Sequence, residues 1–125
     1  MATIDVNQLL ANIKTTVSGV IQQDVTTISG YSERQLAAMA QQAKWIAAAT
    51  LSGELTSDMR DFFLNTLKDS ATNFTNTLKG LAVVTAEKVW NALVGALWGA
   101  IDTAIGQVLP LPQAPAGGLG GTTGT

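Results

Sequence analysis

The sequence predicts an all-α protein: three or four amphipathic helices, forming a helical bundle or a long helical hairpin, followed by a flexible Pro/Gly-rich C-terminal tail. Three observations predict it. Apolar residues recur three and four apart through most of the chain's 125 residues, a spacing that lines one face of a helix rather than of a strand. Ser, Thr and Asp precede those runs, where a side-chain oxygen can accept a free N–H of the first helical turn. Glycine and proline fall between the runs, where helices stop.

The first helix is expected over 5–29. Val6, Leu9, Leu10, Ile13, Val17, Val20, Ile21, Val25 and Ile28 form its stripe. Asp5 is the N-cap, and Gln8 three residues later completes a capping box. Its many branched Thr and Val side chains cost helix propensity, but the periodicity outweighs them. Ser29 and Gly30 end it. Ser32 then caps a second helix over 33–52, with Gln35 at the third helical position and Tyr31 and Leu36 placed as a hydrophobic staple. Leu36, Met39, Ala40, Ala43, Ile46 and Ala47 share its inner face, and its alanines permit close approach by a neighbour.

Gly53 closes that helix, and Thr56 or Ser57 opens a third over 57–79, with Asp58 and Asp61 placed where the helix dipole favours acids. Met59, Phe62, Phe63, Leu67, Ala71, Phe74, Leu78 and Leu81 form its stripe. Phe63 to Lys68 returns eleven residues later as Phe74 to Lys79 with Asn, Thr, Leu and Lys in register; eleven residues are close to three turns, so both copies share a face. A fourth helix is expected over 82–109. Gly80 either breaks the third helix from the fourth or lies inside one rod over 57–109, which would be about 80 Å long at 1.5 Å per residue. From Pro110 onward the composition turns to Pro, Gly and Thr, and the tail over 110–125 has no core-forming run.

Composition then narrows the function. Only 13% of residues are charged and the net charge is −2, against about 25% charged in ordinary domains. The scattered basic residues make no patch of the kind nucleic-acid binding requires, so no nucleic-acid partner is expected. Cysteine and histidine are absent, which removes disulfides, thiolate metal sites, thiol nucleophiles and every imidazole-based triad. Glu54, Asp58, Asp61 and Asp69 are the one acidic cluster, and helix capping and solvation account for them better than acid–base or cation chemistry. No catalytic, cofactor-binding or metal-ligating residue is assigned. The sequon at Asn73 lies inside a predicted helix and is set aside. The first seven residues carry Asp5 and no basic stretch, unlike a secretory signal peptide.

The segment over 89–109 is the most informative. Asp102 is its one charge, and Gly95 and Gly99 form a small-xxx-small pair extended by Ala92, Ala96 and Ala100. A helix so evenly apolar is expected to be shielded by something beyond its own chain. Trp90, Leu93, Val94, Gly95, Leu97, Trp98, Gly99, Ile101 and Ile105 are therefore the candidate oligomer or membrane interface, with the two tryptophans as anchors. Three settings compete: the centre of a bundle or oligomer, a lipid surface, and a transmembrane span. The span is disfavoured, because only 13 uncharged residues separate Lys88 from Asp102 and spanning takes about 20.

The texture of the whole chain (small, helical, rich in Thr, Asn, Gln and Ala, with a Gly-rich end) resembles minor structural and ejection proteins of bacteriophage particles. That resemblance implies a virion component or a protein of the bacterial cytoplasm. The amphipathic helices also share some texture with phasins, which coat polyester granules, although phasins present more charge outward than this chain does. The expected function is a non-enzymatic structural or assembly protein forming a homo-oligomeric helical complex with other structural subunits. The alternative is a membrane-active helical protein: channel-forming, holin-like or lipid-surface-binding.

Overall fold

A computed structural model describes residues 4–113 and places them in four α-helices: α1 (Val6–Ile21), α2 (Glu33–Leu51), α3 (Ser57–Thr77) and α4 (Val83–Ile105). Three of the four starts are side-chain caps. Asp5 accepts the Gln8 N–H at 3.2 Å, Ser32 the Gln35 N–H at 3.1 Å, and Thr56 the Met59 N–H at 3.2 Å. Such a cap contributes about 1 kcal/mol. The fourth helix, starting at Val83 after Ala82, has no side-chain cap and depends on burial instead.

Three helix ends fall short of the sequence reading, the fourth helix stopping at Ile105, before left-handed Gly106, rather than at 109. The first helix ends at Ile21, where Gln22 turns left-handed with φ 60°. Asp24 then accepts the Thr26 N–H at 3.0 Å, the Ser18 hydroxyl accepts the Val25 N–H at 2.9 Å, and Val25–Thr27 forms a single 3-10 turn. Short polar side chains offer the backbone these partners in place of helical ones. Val25 still reaches the core and Ile28 packs against it, so their helical spacing reflects burial of a loop. The third helix ends at Thr77, and residues 78–82 form a turn with Gly80 at φ 80°. The long rod is thereby excluded. The second copy of the eleven-residue repeat runs off the end of α3, so the period goes no further.

Successive helices run antiparallel. The Lys79 N–H donates to the Ser29 carbonyl at 2.8 Å, joining the α3–α4 connection to the α1–α2 connection at one end of the bundle. Edge-on stacking of Tyr31 against Phe74, with ring centroids 6.0 Å apart, closes that end. α2 and α4 form the middle, each packed against all three other helices, and α1 and α3 flank them. The expected inner face of α2, Leu36, Met39, Ala40, Ala43, Ile46 and Ala47, is buried throughout. It meets Ile13 and Val17 of α1, Leu67, Ala71 and Phe74 of α3, and the apolar side of α4 in one continuous core. Residues 114–125, most of the expected tail, lie outside the described residues.

Candidate functional site

The middle position of α4 changes the meaning of its apolar surface. Trp90, Leu93, Val94, Leu97, Trp98 and Ile101 are buried within the chain's own core, and Ile105 packs against that core half-buried. Three flanking helices cover what a helix at the edge of a bundle would leave open. The expectation that outside company must shield this segment is corrected accordingly. Only Gly95 and Gly99 of the nine candidates are exposed. They face a groove of about 510 Å³ between α1 and α4, lined also by Ile4, Gln8, Asn12 and Ala100.

Polar detail in α4 serves the same burial. The Trp90 indole N–H donates to the Thr72 hydroxyl at 3.2 Å, so the fully buried ring leaves no donor unpaired. Asp102, the one charge after Lys88, works at the helix end. Its carbonyl accepts the Gly106 and Gln107 N–H groups, and its carboxylate accepts the Leu109 N–H at 3.0 Å. That bond folds the chain back so that Leu109 is buried beside the core. No helix among the described residues is long and apolar enough to cross a membrane.

The acidic residues stay apart from one another in function. Asp58 sits in the first turn of α3, Asp61 pairs with Arg60 at 3.2 Å, and Glu54 accepts the Ser52 hydroxyl at 3.1 Å. No group of three metal-ligating side chains occurs among the described residues. At the opposite end, Lys14 pairs with Glu33 at 3.3 Å. The Tyr31 hydroxyl donates to Glu33 as well. Burial, then that hydrogen bond, pushes the Tyr31 phenol up, and the same bond holds the Glu33 carboxyl below its ordinary value. Asp24 is likewise held low by the Thr26 hydroxyl and N–H. These are surface arrangements that fix loop geometry.

Among the apolar side chains that the fold leaves uncovered, two large aromatic ones lie close together. On the outer sides of α2 and α3, Trp45 is 49% exposed, Phe62 66% and Met59 46%. Trp45 meets Phe63 edge-on with centroids 4.9 Å apart, and Phe63 meets Phe62 in the same way at 5.3 Å. Three rings thus form a fixed ladder across the two helices. The sequence reading placed Met59 and Phe62 on the core stripe of α3, and the structure places both outside. The buried set of α3 is Leu64, Leu67, Ala71, Phe74 and Thr75. Phe62 precedes Leu64 by two residues, about 200° around the helix. Trp45, which that reading passed over, follows buried Ala43 by the same two-residue step. The available signal was a large aromatic out of phase with a well-defined buried stripe.

No protein-family model, curated protein or solved structure matches this chain. The functional reading therefore rests on the residues themselves. Trp45 is half exposed while Trp90 and Trp98 are buried, so acrylamide should quench one tryptophan component of three. Trp45→Phe should abolish that component, and quenching that survives the substitution would place a second indole in water.

Proposed function

We propose that this protein is a non-enzymatic assembly subunit that forms a homo-oligomer, in the manner of a small virion or ejection component built together with other structural subunits. The exposed rings of Trp45 and Phe62, bridged by half-buried Phe63 on a charge-poor bundle, carry this reading. Interface cores are enriched in aromatic residues and Met and depleted of charge, whereas an isolated monomer gains little from leaving Trp45, Met59 and Phe62 in water. The resemblance to bacteriophage structural proteins supports the same class.

A lipid-surface protein is the second reading. Tryptophan sits well at a membrane interface, and Trp45 and Phe62 are available for it. Any membrane role here is surface binding by described residues, since none of their helices is a span. Sedimentation velocity tests the main reading. A mass rising with concentration in multiples of 13.0 kDa is expected, without detergent or lipid. A single 13.0 kDa species at every concentration would overturn it.

A further inference from the structure

The outer face of α2 and α3 has the size, composition and charge pattern of one half of a symmetric contact. We propose that this face, centred on Trp45, Met59, Phe62 and Phe63, binds the same face of a second copy of this chain across a two-fold axis. The proposal rests on the assembly reading and assigns it a surface and a symmetry.

Size comes first. α2 has 19 residues and α3 has 21, so the face is about 30 Å long and, at two helix widths, about 20 Å across. Its projection of about 600 Å² is the right order for the roughly 800 Å² that each partner contributes to a standard interface. Composition agrees. Next to Trp45 the outward positions of α2 include Ala38, Gln41 and Ala48, small or uncharged side chains that let a second helix pair approach closely, with Arg34 and Lys44 at the margin. The rings also hold one another edge-on, so little side-chain freedom is lost when a partner covers them.

Charge selects the occupant. Asp58 and Asp69 flank Phe62 on α3, and Arg34 and Lys44 flank Trp45 on α2, all four exposed, while Arg60 is taken up by Asp61. The face therefore carries both signs around an apolar centre. An anionic membrane or a nucleic acid would call for basic residues alone, and Asp58 and Asp69 oppose both. A two-fold rotation instead can bring each copy's bases against its partner's acids, which is the self-complementarity an isologous contact requires.

Sedimentation equilibrium of the full chain, wild type against Phe62→Ser, tests the proposal. Phe62 is two-thirds exposed, so circular dichroism should show an unchanged fold. Loss of an interface aromatic should raise the dimer Kd about thirty-fold or more, while Val84→Ser, on an exposed residue at the start of α4, should leave it unchanged. The chain has no cysteine, so single spin labels report the geometry in an otherwise native protein. A label at Thr66→Cys should lie closer to its copy than one at Asn12→Cys on α1. A wild type that self-associates with the Phe62→Ser Kd unchanged, or with the label order reversed, overturns this surface and leaves the assembly reading standing. A wild-type monomer overturns both. Binding to phosphatidylcholine vesicles with a blue shift of Trp45, in place of self-association, assigns the face to lipid and overturns the proposal.

Discussion

Replacing Trp90 with alanine is expected to lower the unfolding free energy by about 3–5 kcal/mol, the range for deleting a large buried aromatic. Domains of this size have only about 5–15 kcal/mol in hand, so the variant should be partly unfolded near physiological temperature. The size of the effect follows from position. Trp90 is fully buried, on the helix that touches all three others. Its removal leaves a cavity whose walls belong to separate helices, which cannot all move inward together. The Thr72 hydroxyl also loses the indole N–H, although it keeps its own bond to the Lys68 carbonyl at 3.1 Å. Trp90→Phe should therefore lie between wild type and Trp90→Ala, since it restores part of the volume and none of the hydrogen bond. Urea unfolding followed by circular dichroism measures all three. The loss should be independent of protein concentration, because the side chain is covered within one chain. A loss under about 1 kcal/mol, or one that grows on dilution, would mean that other copies supply the cover.

That expectation reverses the sequence reading of α4, and the reason is physical. Periodicity reports how much of a helix is apolar, but not how many neighbours stand around it. A helix with a wide apolar arc fits an oligomer seam, a lipid surface or the middle of a four-helix bundle. Only the antiparallel path set by the turn at 78–82 puts α1, α2 and α3 on three sides of it. Local chemistry was far more legible. Asp5, Ser32 and Thr56 are caps because each has an oxygen within reach of the N–H three residues on, and no distant contact is needed to decide that. The inner face of α2 was equally plain, since six residues agree on one direction. α1 was read too long because Val25 and Ile28 continue its apolar spacing while Asp24 and Ser18 redirect the backbone. The exposed ladder escaped for a related reason. Phe62 and Met59 look like core by residue type, and only the phase fixed by Leu64, Leu67 and Ala71 places them outside.

Gly30→Ala should be nearly as damaging, and a second glycine shows how much of that is steric. Gly30 has φ 91°, and a Cβ built there would fall 1.8 Å from the Thr77 carbonyl oxygen and 2.9 Å from its carbon. Both are backbone atoms at the C-terminal end of α3, so no side-chain rotation relieves the clash. Gly53 has a similar φ of 83°, but a Cβ there meets nothing within 4 Å. Gly53→Ala should thus cost only the left-handed strain of an L-residue, about 1–2 kcal/mol. Gly30→Ala should cost that and a further 1–3 kcal/mol for forcing packed backbone apart. The separation would also stretch the neighbouring bond from the Lys79 N–H to the Ser29 carbonyl, 2.8 Å in the native chain. Since that bond joins the two connections at one end of the bundle, amide exchange at Lys79 should accelerate in Gly30→Ala and stay unchanged in Gly53→Ala. Equal destabilisation by the two substitutions would show that the α1–α2 connection does not rest on the end of α3. The closure that brings three helices around α4 would then need another cause.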